Sequence, residues 1–167
     1  MAATGTAAGQ SGGVVTVRTS DAADRDWVVD AARRLLGSEH QVHSRRQFHV
    51  DAHELLIADV DGEPTGFLAW IVEGDECEVL AIGTDRPRAG VGSALLDAAA
   101  TVAREHGCRR LHLTTTDANV GAQRFYEAAG WTLAERLVGA VDRCREQWKP
   151  EIPADMHDEL VYERLLG

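Results

Sequence analysis

The chain is expected to fold as one α/β domain, a mixed sheet with helices on both faces. Three observations lead there. Residues 54–72 read as a hairpin, with Glu54-Leu-Leu-Ile-Ala-Asp-Val60 and Gly66-Phe-Leu-Ala-Trp-Ile-Val72 flanking a turn at Asp61-Gly62. A strand-like run, Glu78-Val-Leu-Ala-Ile82, then meets a glycine loop and a long alanine-rich segment of helical spacing. The length of 167 residues suits a single domain that buries its own core.

Each element follows in order. Residues 1–13, MAATGTAAGQSGG, have neither the basic start nor the apolar stretch of a signal peptide. They are expected to be a disordered lead-in to a domain spanning 14–167. Val14-Val-Thr-Val-Arg18 alternates as a strand. Asp21 caps a helix that runs to Gly37, with Trp27, Val28, Ala31 and Leu35 at helical spacing. The polar, histidine-rich residues 38–53 read as a loop with a short helix. After the hairpin, Gly74-Asp75 turns into the strand carrying Glu78. Beyond the glycine loop, Val91, Leu95, Ala98 and Val102 share one helix face, and the helix closes near Gly107. A strand at 109–116, a helix at 120–129 and a strand at 132–138 follow. Ala140 to Trp148 form a short helix, Pro150 and Pro153 mark a loop, and 160–165 are a terminal strand.

Composition narrows the function classes. With 44% hydrophobic and 26% charged residues the chain is an ordinary soluble globular sequence, and no apolar run nears the ~18–20 residues of a membrane span. A net charge of −10 argues against nucleic acid as a partner and suits cationic small molecules. Cys77, Cys108 and Cys144 are odd in number and widely spaced, which fits reduced thiols in a cytoplasmic protein better than a disulfide or zinc framework. His40, His43, His49 and His53 have ligand-like spacings, but no carboxylate or cysteine completes a recognisable set, and no metal is expected.

The most informative stretch is RPRAGVGSALL, from Arg86 to Leu96. Gly90 and Gly92 let the backbone turn tightly at a helix N-terminus, where unpaired N–H groups and the macrodipole favour an anion. Arg86 and Arg88 add positive charge. A Walker loop would need a lysine after its glycine, and the chain's one lysine is Lys149. A dinucleotide fingerprint would need Gly or Ala where Leu95 stands. Coenzyme A is a third reading, and it rests on a resemblance.

The loop resembles the signature of the GNAT superfamily of N-acetyltransferases, Gln/Arg-x-x-Gly-x-Gly/Ala at the start of a helix. Gly90, Val91 and Gly92 match it, and Pro87 departs at the first position. A second block, Asn119-Val-Gly-Ala-Gln-Arg-Phe-Tyr-Glu-Ala-Ala-Gly-Trp131, resembles the other signature of that superfamily, Asn-x-x-Ala-x-x-Phe-Tyr-x-x-x-Gly-Phe. Asn119, Ala122, Phe125, Tyr126 and Gly130 match, and Trp131 replaces the Phe. The resemblance covers residues 50–140 and implies the acyl-CoA N-acyltransferase fold, with a mostly antiparallel central sheet.

It also implies a reaction: transfer of an acetyl group from acetyl-CoA, as co-substrate, to a primary amine of a small molecule or peptide. One rival is a catalytically silent acyl-CoA-binding module of the same fold, and a second is a transferase using longer acyl-CoA donors or an oxygen acceptor. By resemblance, Ile82 and Thr84 lie along the pantetheine arm. Arg88, Ala89, Gly90, Val91, Gly92 and Ser93 cradle the pyrophosphate, and Asn119 and Tyr126 reach the cofactor. Tyr126 is the expected general acid for the departing thiolate, beside the alternative that it packs against Phe125. Glu78 is the candidate base, beside the alternative of a structural strand glutamate. Cys77 next to it reads as a buried thiol rather than a nucleophile. Residues 38–53 and 140–158 are expected to meet as the acceptor pocket, where Glu151, Asp155, Asp158 and Glu159 would recognise a cation. A homodimer is expected on the ground that the terminal strand at 160–165 presents an open edge.

Overall fold

The computed structural model describes residues 5–8, 13–86 and 90–167. In chain order its strands are β1 (Gly5–Ala8), β2 (Val14–Thr19), β3 (His40–His43), β4 (Arg46–His49), β5 (Glu54–Val60), β6 (Glu63–Glu73), β7 (Glu76–Thr84), β8 (Arg110–Thr116), β9 (Thr132–Leu137) and β10 (Glu159–Leu165). The α-helices are α1 (Arg25–Leu36), α2 (Val91–Glu105), α3 (Val120–Ala128) and α4 (Ala140–Gln147). Eight strands form one sheet in the order β1-β2-β5-β6-β7-β8-β10-β9, and β3 and β4 form a separate hairpin. Neighbouring strands in the sheet are antiparallel except β7 and β8, which run parallel because α2 returns the chain between them.

Two cores lie on opposite faces of the sheet. On one, α1 buries Val28, Ala31 and Ala32 against Leu55, Ile57, Phe67 and Ala69. On the other, α2 presents Leu95, Ala99 and Ala103 to Val17, Leu56 and Leu68. Each fully buried Val, Leu or Phe contributes roughly 1.5–3 kcal/mol, which is why the helices hold to the sheet along these faces. The start of α1 is fixed locally. Asp21 accepts a hydrogen bond from the Ala23 N–H, and Asp24 accepts one from the Asp21 N–H, a reciprocal cap on the 3-10 turn that leads into the helix. Arg18 then ties Asp24 to Asp59 of β5, each at 2.7 Å.

Three expectations change. Gly5–Ala8, inside the segment expected to be a disordered lead-in, pair with Val14–Val17; small Ala and Thr residues suffice because an edge strand needs only backbone hydrogen bonds. The other residues of 1–12 lie outside the described ones. Residues 38–53 are not a loop with a short helix but the β3–β4 hairpin followed by a 3-10 turn, Val50–Ala52. Phe48 and Val50, the large apolar residues of that stretch, are buried in the α1 core and give the hairpin its anchor. The terminal strand offers no open edge: β10 lies between β8 and β9, hydrogen-bonded on both sides. The ground for a homodimer through that strand is therefore gone, since the sheet ends at β1 and β9.

The sheet divides at one point. In β7 the register against β6 shifts between Ala69↔Ala81 and Trp70↔Val79, so Leu80 is an extra residue. Val79 faces the α2 core, Leu80 and Ala81 both face the α1 core, and Ile82 returns to the α2 side. Such a bulge bends its strand and strengthens the local twist. The parallel pairing of β7 with β8 runs from Glu76↔Arg110 to Val79↔Leu113 and stops there. Beyond it, Leu80–Thr84 and Thr114–Thr116 separate.

Candidate active site

The parted strands enclose a cavity of about 770 Å³. Leu80, Ala81 and Ile82 form one wall and Leu113, Thr114, Thr115 and Thr116 the other. Asn119 and Tyr126 close it on the α3 side, while His43 and Phe48 of the hairpin, Val141 and Cys144 of α4, and Lys149, Met156 and Glu159 close it on the other. The β7 edge that faced β8 has no partner strand from Leu80 onward, so it can accept an extended ligand by main-chain hydrogen bonds. The Thr114 hydroxyl is buried in this wall without a hydrogen-bond partner.

Past Thr84 the chain reaches the start of α2. Gly90 is its N-cap, at φ 79° and ψ 4°, a left-handed conformation that a Cβ strains. The first intrahelical bond of this turn is Ala94 N–H to the Gly90 carbonyl, so the N–H groups of Val91, Gly92 and Ser93 point outward from the helix start without a helical partner. The first turn carries no acidic residue. A Cβ on Gly92 would stand 3.2 Å from the Phe125 ring, so this glycine lets α3 pack against the first turn of α2 and joins the two signature blocks. Arg86 is exposed, with its N–H bonded to Thr84 Oγ1 (3.1 Å). Arg88 and Ala89 lie outside the described residues. Open donors, absence of acid, an unpaired strand edge and an orphaned hydroxyl together fit a long ligand with an anionic end, as coenzyme A is.

Asn119 caps α3, its side chain accepting from the Ala122 N–H at 3.2 Å, and it also lines the cavity. Tyr126 sits two turns on, 6% exposed, within an aromatic group of Phe125, Trp131 and Tyr162. Burial pushes its phenol up to about 12, which keeps it a hydrogen-bond donor throughout the neutral range.

Glu78 is buried but is not among the residues lining this cavity. It lies below the bulge and faces a second recess, of about 350 Å³, with Arg45, Arg46, Glu73 and His112. Its Oε1 receives a hydrogen bond from His43 Nε2 (2.8 Å), and its Oε2 is paired with Arg46 at 3.2 Å. The Arg45 backbone N–H donates to His43 Nδ1 (3.2 Å), which leaves Nε2 as the donor to Glu78. Burial alone would raise the Glu78 pKa, but the hydrogen bond from His43 and the nearby His43, His112 and Arg46 outweigh it and hold the carboxyl below its ordinary value. The base expected from the sequence thus reaches the cavity only through His43. Cys77, beside it, is wholly buried on the α2 side with its thiol pushed up to about 12 by burial first, which gives no thiolate for acyl transfer.

The two segments expected to form an acceptor pocket do meet. Lys149 donates to the His40 carbonyl (2.7 Å), and Ser44 reaches Glu159 through its N–H (2.6 Å) and its hydroxyl (2.5 Å). Arg145 shapes the Pro150–Pro153 loop by donating to the carbonyls of Ile152, Pro153 and Met156. Of the four acids singled out there, Glu151 and Glu159 line the cavity. Asp158 is turned to Arg136 and the Gly139 N–H, and Asp155 is exposed. The remaining histidines are structural neighbours of the hairpin: His40 stacks near His49 and His53 meets the edge of Phe48. Glu159 is among the acids singled out from the sequence, but its pairing with Ser44 and the role of Leu80 had no signal there, because one joins residues 115 positions apart and the other is a matter of register.

Comparison with known proteins agrees with this geometry. Residues 21–131 match the model of the Acetyltransferase (GNAT) family. Over 93 residues the chain is 36% identical to protein YxbD of Bacillus subtilis (strain 168), covering 56% of this chain and 58% of that one. It is 34% identical over 124 residues to the mycothiol acetyltransferase of Clavibacter sepedonicus, covering 68% of this chain and 40% of the relative. The chain thus spans about half the length of these relatives. Among solved structures, the putative acetyltransferase yncA from Salmonella typhimurium, determined with acetyl-CoA, superposes with a TM-score of 0.68 at 15% identity over 92% of this chain and 94% of that one.

Proposed function

The chain belongs to the GNAT acetyltransferase family, and from that premise we propose that it transfers the acetyl group of acetyl-CoA directly to a primary amine of a small molecule or peptide. The observation that carries this reading is the parting of β7 and β8 at Leu80. It opens a cavity walled by β7 as far as Ile82, and the β3–β4 hairpin and α4 close it on another side. Acetyl-CoA would supply a thioester carbonyl at the split.

The residues divide the work. The N–H groups of Val91, Gly92 and Ser93 hold the pyrophosphate, with the Gly90 turn aiming them. The free edge of β7 near Ile82 and Thr84 orients the pantetheine arm. Asn119 fixes the start of α3 and thereby the position of Tyr126. The Tyr126 hydroxyl donates to the developing thiolate. Full proton transfer from a phenol near 12 to a thiolate of cysteine-like pKa, about 8.5, runs uphill, so the hydrogen bond itself is the main contribution. The amine would attack as the free base, and the proton it sheds as the C–S bond breaks would end on the coenzyme A sulfur. Glu78 positions rather than reacts: it holds the His43 ring at the cavity wall from below.

Titration with acetyl-CoA by calorimetry, followed by thiol release across a panel of amines, tests the reading. Binding together with amine-dependent thiol release is the expected result. Binding without release from any amine would favour the silent acyl-CoA-binding module, and no binding would overturn both.

A further inference from the structure

Four acidic residues are buried among the described ones: Asp24, Glu78, Asp158 and Glu159. Asp24 is paired with Arg18, Glu78 with Arg46 and His43, and Asp158 with Arg136. Glu159, only 3% exposed, has no cationic partner among the described residues. Its three donors are neutral: the Ser44 N–H at 2.6 Å, the Ser44 hydroxyl at 2.5 Å and the Cys144 thiol at 3.8 Å. Lys149 lines the same cavity, but its ammonium is bonded to the His40 carbonyl.

A buried carboxylate is ordinarily paired, since neutral donors offset only part of its lost hydration. Glu159 is left short of a cation at the start of β10, opposite Thr116, and is among the residues that line the cavity. The hairpin, α4 and the loop after it contribute the apolar Phe48, Val141 and Met156 to the cavity lining beside the polar His43 and Lys149, and Glu151 is the one other acid in that lining. The Cys144 thiol does not compete as an acid: burial first, and then the Glu159 charge, push it up to about 11.

We propose that Glu159, clamped by Ser44, is the residue that recognises the acceptor, pairing with the ammonium of a primary amine carried on an apolar body. The proposal rests on the acetyltransferase reading and names the chemistry of its second substrate. Glu159 here binds and positions the ammonium, which must release one proton to water before the free amine attacks at the split.

The probes are butylammonium and phenethylammonium, each set against its alcohol of equal shape, butanol and 2-phenylethanol. Binding is measured by calorimetry at pH 7 without acetyl-CoA. In the wild type at least one ammonium should bind at least tenfold tighter than its alcohol, and Glu159→Gln should remove that preference while leaving acetyl-CoA affinity unchanged. No preference for either ammonium in the wild type, or a preference that survives Glu159→Gln, would overturn the assignment. A second measurement needs no ligand. Removing an uncompensated charge should leave the melting temperature of Glu159→Gln equal to or above that of the wild type, whereas a fall of several degrees would show a structural carboxylate already satisfied. Failure of acetyl-CoA to bind would instead count against the acetyltransferase reading, so the two fail separately.

Discussion

Below the bulge at Leu80, β7 and β8 are hydrogen-bonded to each other and carry ion pairs; above it the strands part and the β7 edge has no partner strand. The closed half holds Glu78 against His43 and Arg46, and Arg110 against Glu76 and Glu163. The open half holds the Thr114 hydroxyl without a partner, the outward N–H groups at the start of α2, and Glu159 without a cation. The same pair of strands therefore serves as scaffold along one stretch and as site along the next, and one extra residue separates them. Buried side-chain atoms without a partner occur on both sides of the divide, the Thr114 hydroxyl above it and Arg46 Nε and His112 Nδ1 below it, so what marks the open half as the site is the parting of the strands itself.

The sharpest way to test the open half is Tyr126→Phe, which keeps the ring in its aromatic group and removes only the donor. Turnover is expected to fall by ~10²-fold or more, with acetyl-CoA affinity within error of the wild type. Single-turnover thiol release beside calorimetric binding separates the two quantities. Equal turnover would reduce Tyr126 to a packing residue beside Trp131 and Tyr162.

Glu78→Gln tests the closed half. Taking the charge from a buried pair leaves Arg46 with one fewer partner and should destabilise the fold by about 3 kcal/mol at pH 7. The sign of the pH effect follows from its lowered pKa. The wild-type carboxylate stabilises the fold above its unfolded value, about 4.3, and that stabilisation is lost as pH falls through the lower folded value. The variant has no such group, so the gap between the two proteins should narrow as pH drops below about 4.3. Urea melts at pH 7 and near pH 3 measure it, and a constant gap would mean that Glu78 contributes through shape alone. Against Glu159→Gln, which is expected to cost nothing, this variant makes the two buried glutamates opposites.

Much of this was legible in the residues, and the exceptions have physical causes. The hairpin at β5–β6, the α2 helix and the strand–helix–strand run from β8 to β9 follow period and turn chemistry, which are local, and the structure places them within a residue or two, except that β6 starts three residues earlier, at Glu63. The β3–β4 hairpin escaped because its short strands carry histidines and charges, and its anchor is a tertiary contact of Phe48 and Val50 with α1. The terminal strand's position between β8 and β9 is a matter of topology, which periodicity does not encode. At the site, the two signature blocks led to Gly90, Gly92, Asn119 and Tyr126. Ser44 and Glu159 come together only when the hairpin folds over β10, and the direction of Glu78 depends on which face of a bulged strand it occupies.

The smallest expected effect concerns the two ends of α2. Gly90 at its start has φ 79°, and Gly107, just past its end, has φ 75°. An alanine at either position is held in the left-handed region and should cost about 1–2 kcal/mol of stability. Nothing lies within 4 Å of a Cβ built on Gly107, so the cost there is backbone strain alone, and Gly107→Ala is a matched control. The two differ in what they aim. Gly90 sets the direction of the N–H groups that follow it, while Gly107 turns the chain toward β8 at the opposite end of the helix. Gly90→Ala should therefore weaken acetyl-CoA by up to about tenfold, the worth of a well-placed helix terminus to an anion, and Gly107→Ala should leave it unchanged. Thermal melts establish that both variants are folded and comparably strained, and calorimetry with acetyl-CoA then reads the difference. If both lose stability and neither loses affinity, the anion is held elsewhere than at the start of α2, and the open half of the sheet must recognise its ligand through the β7 edge instead.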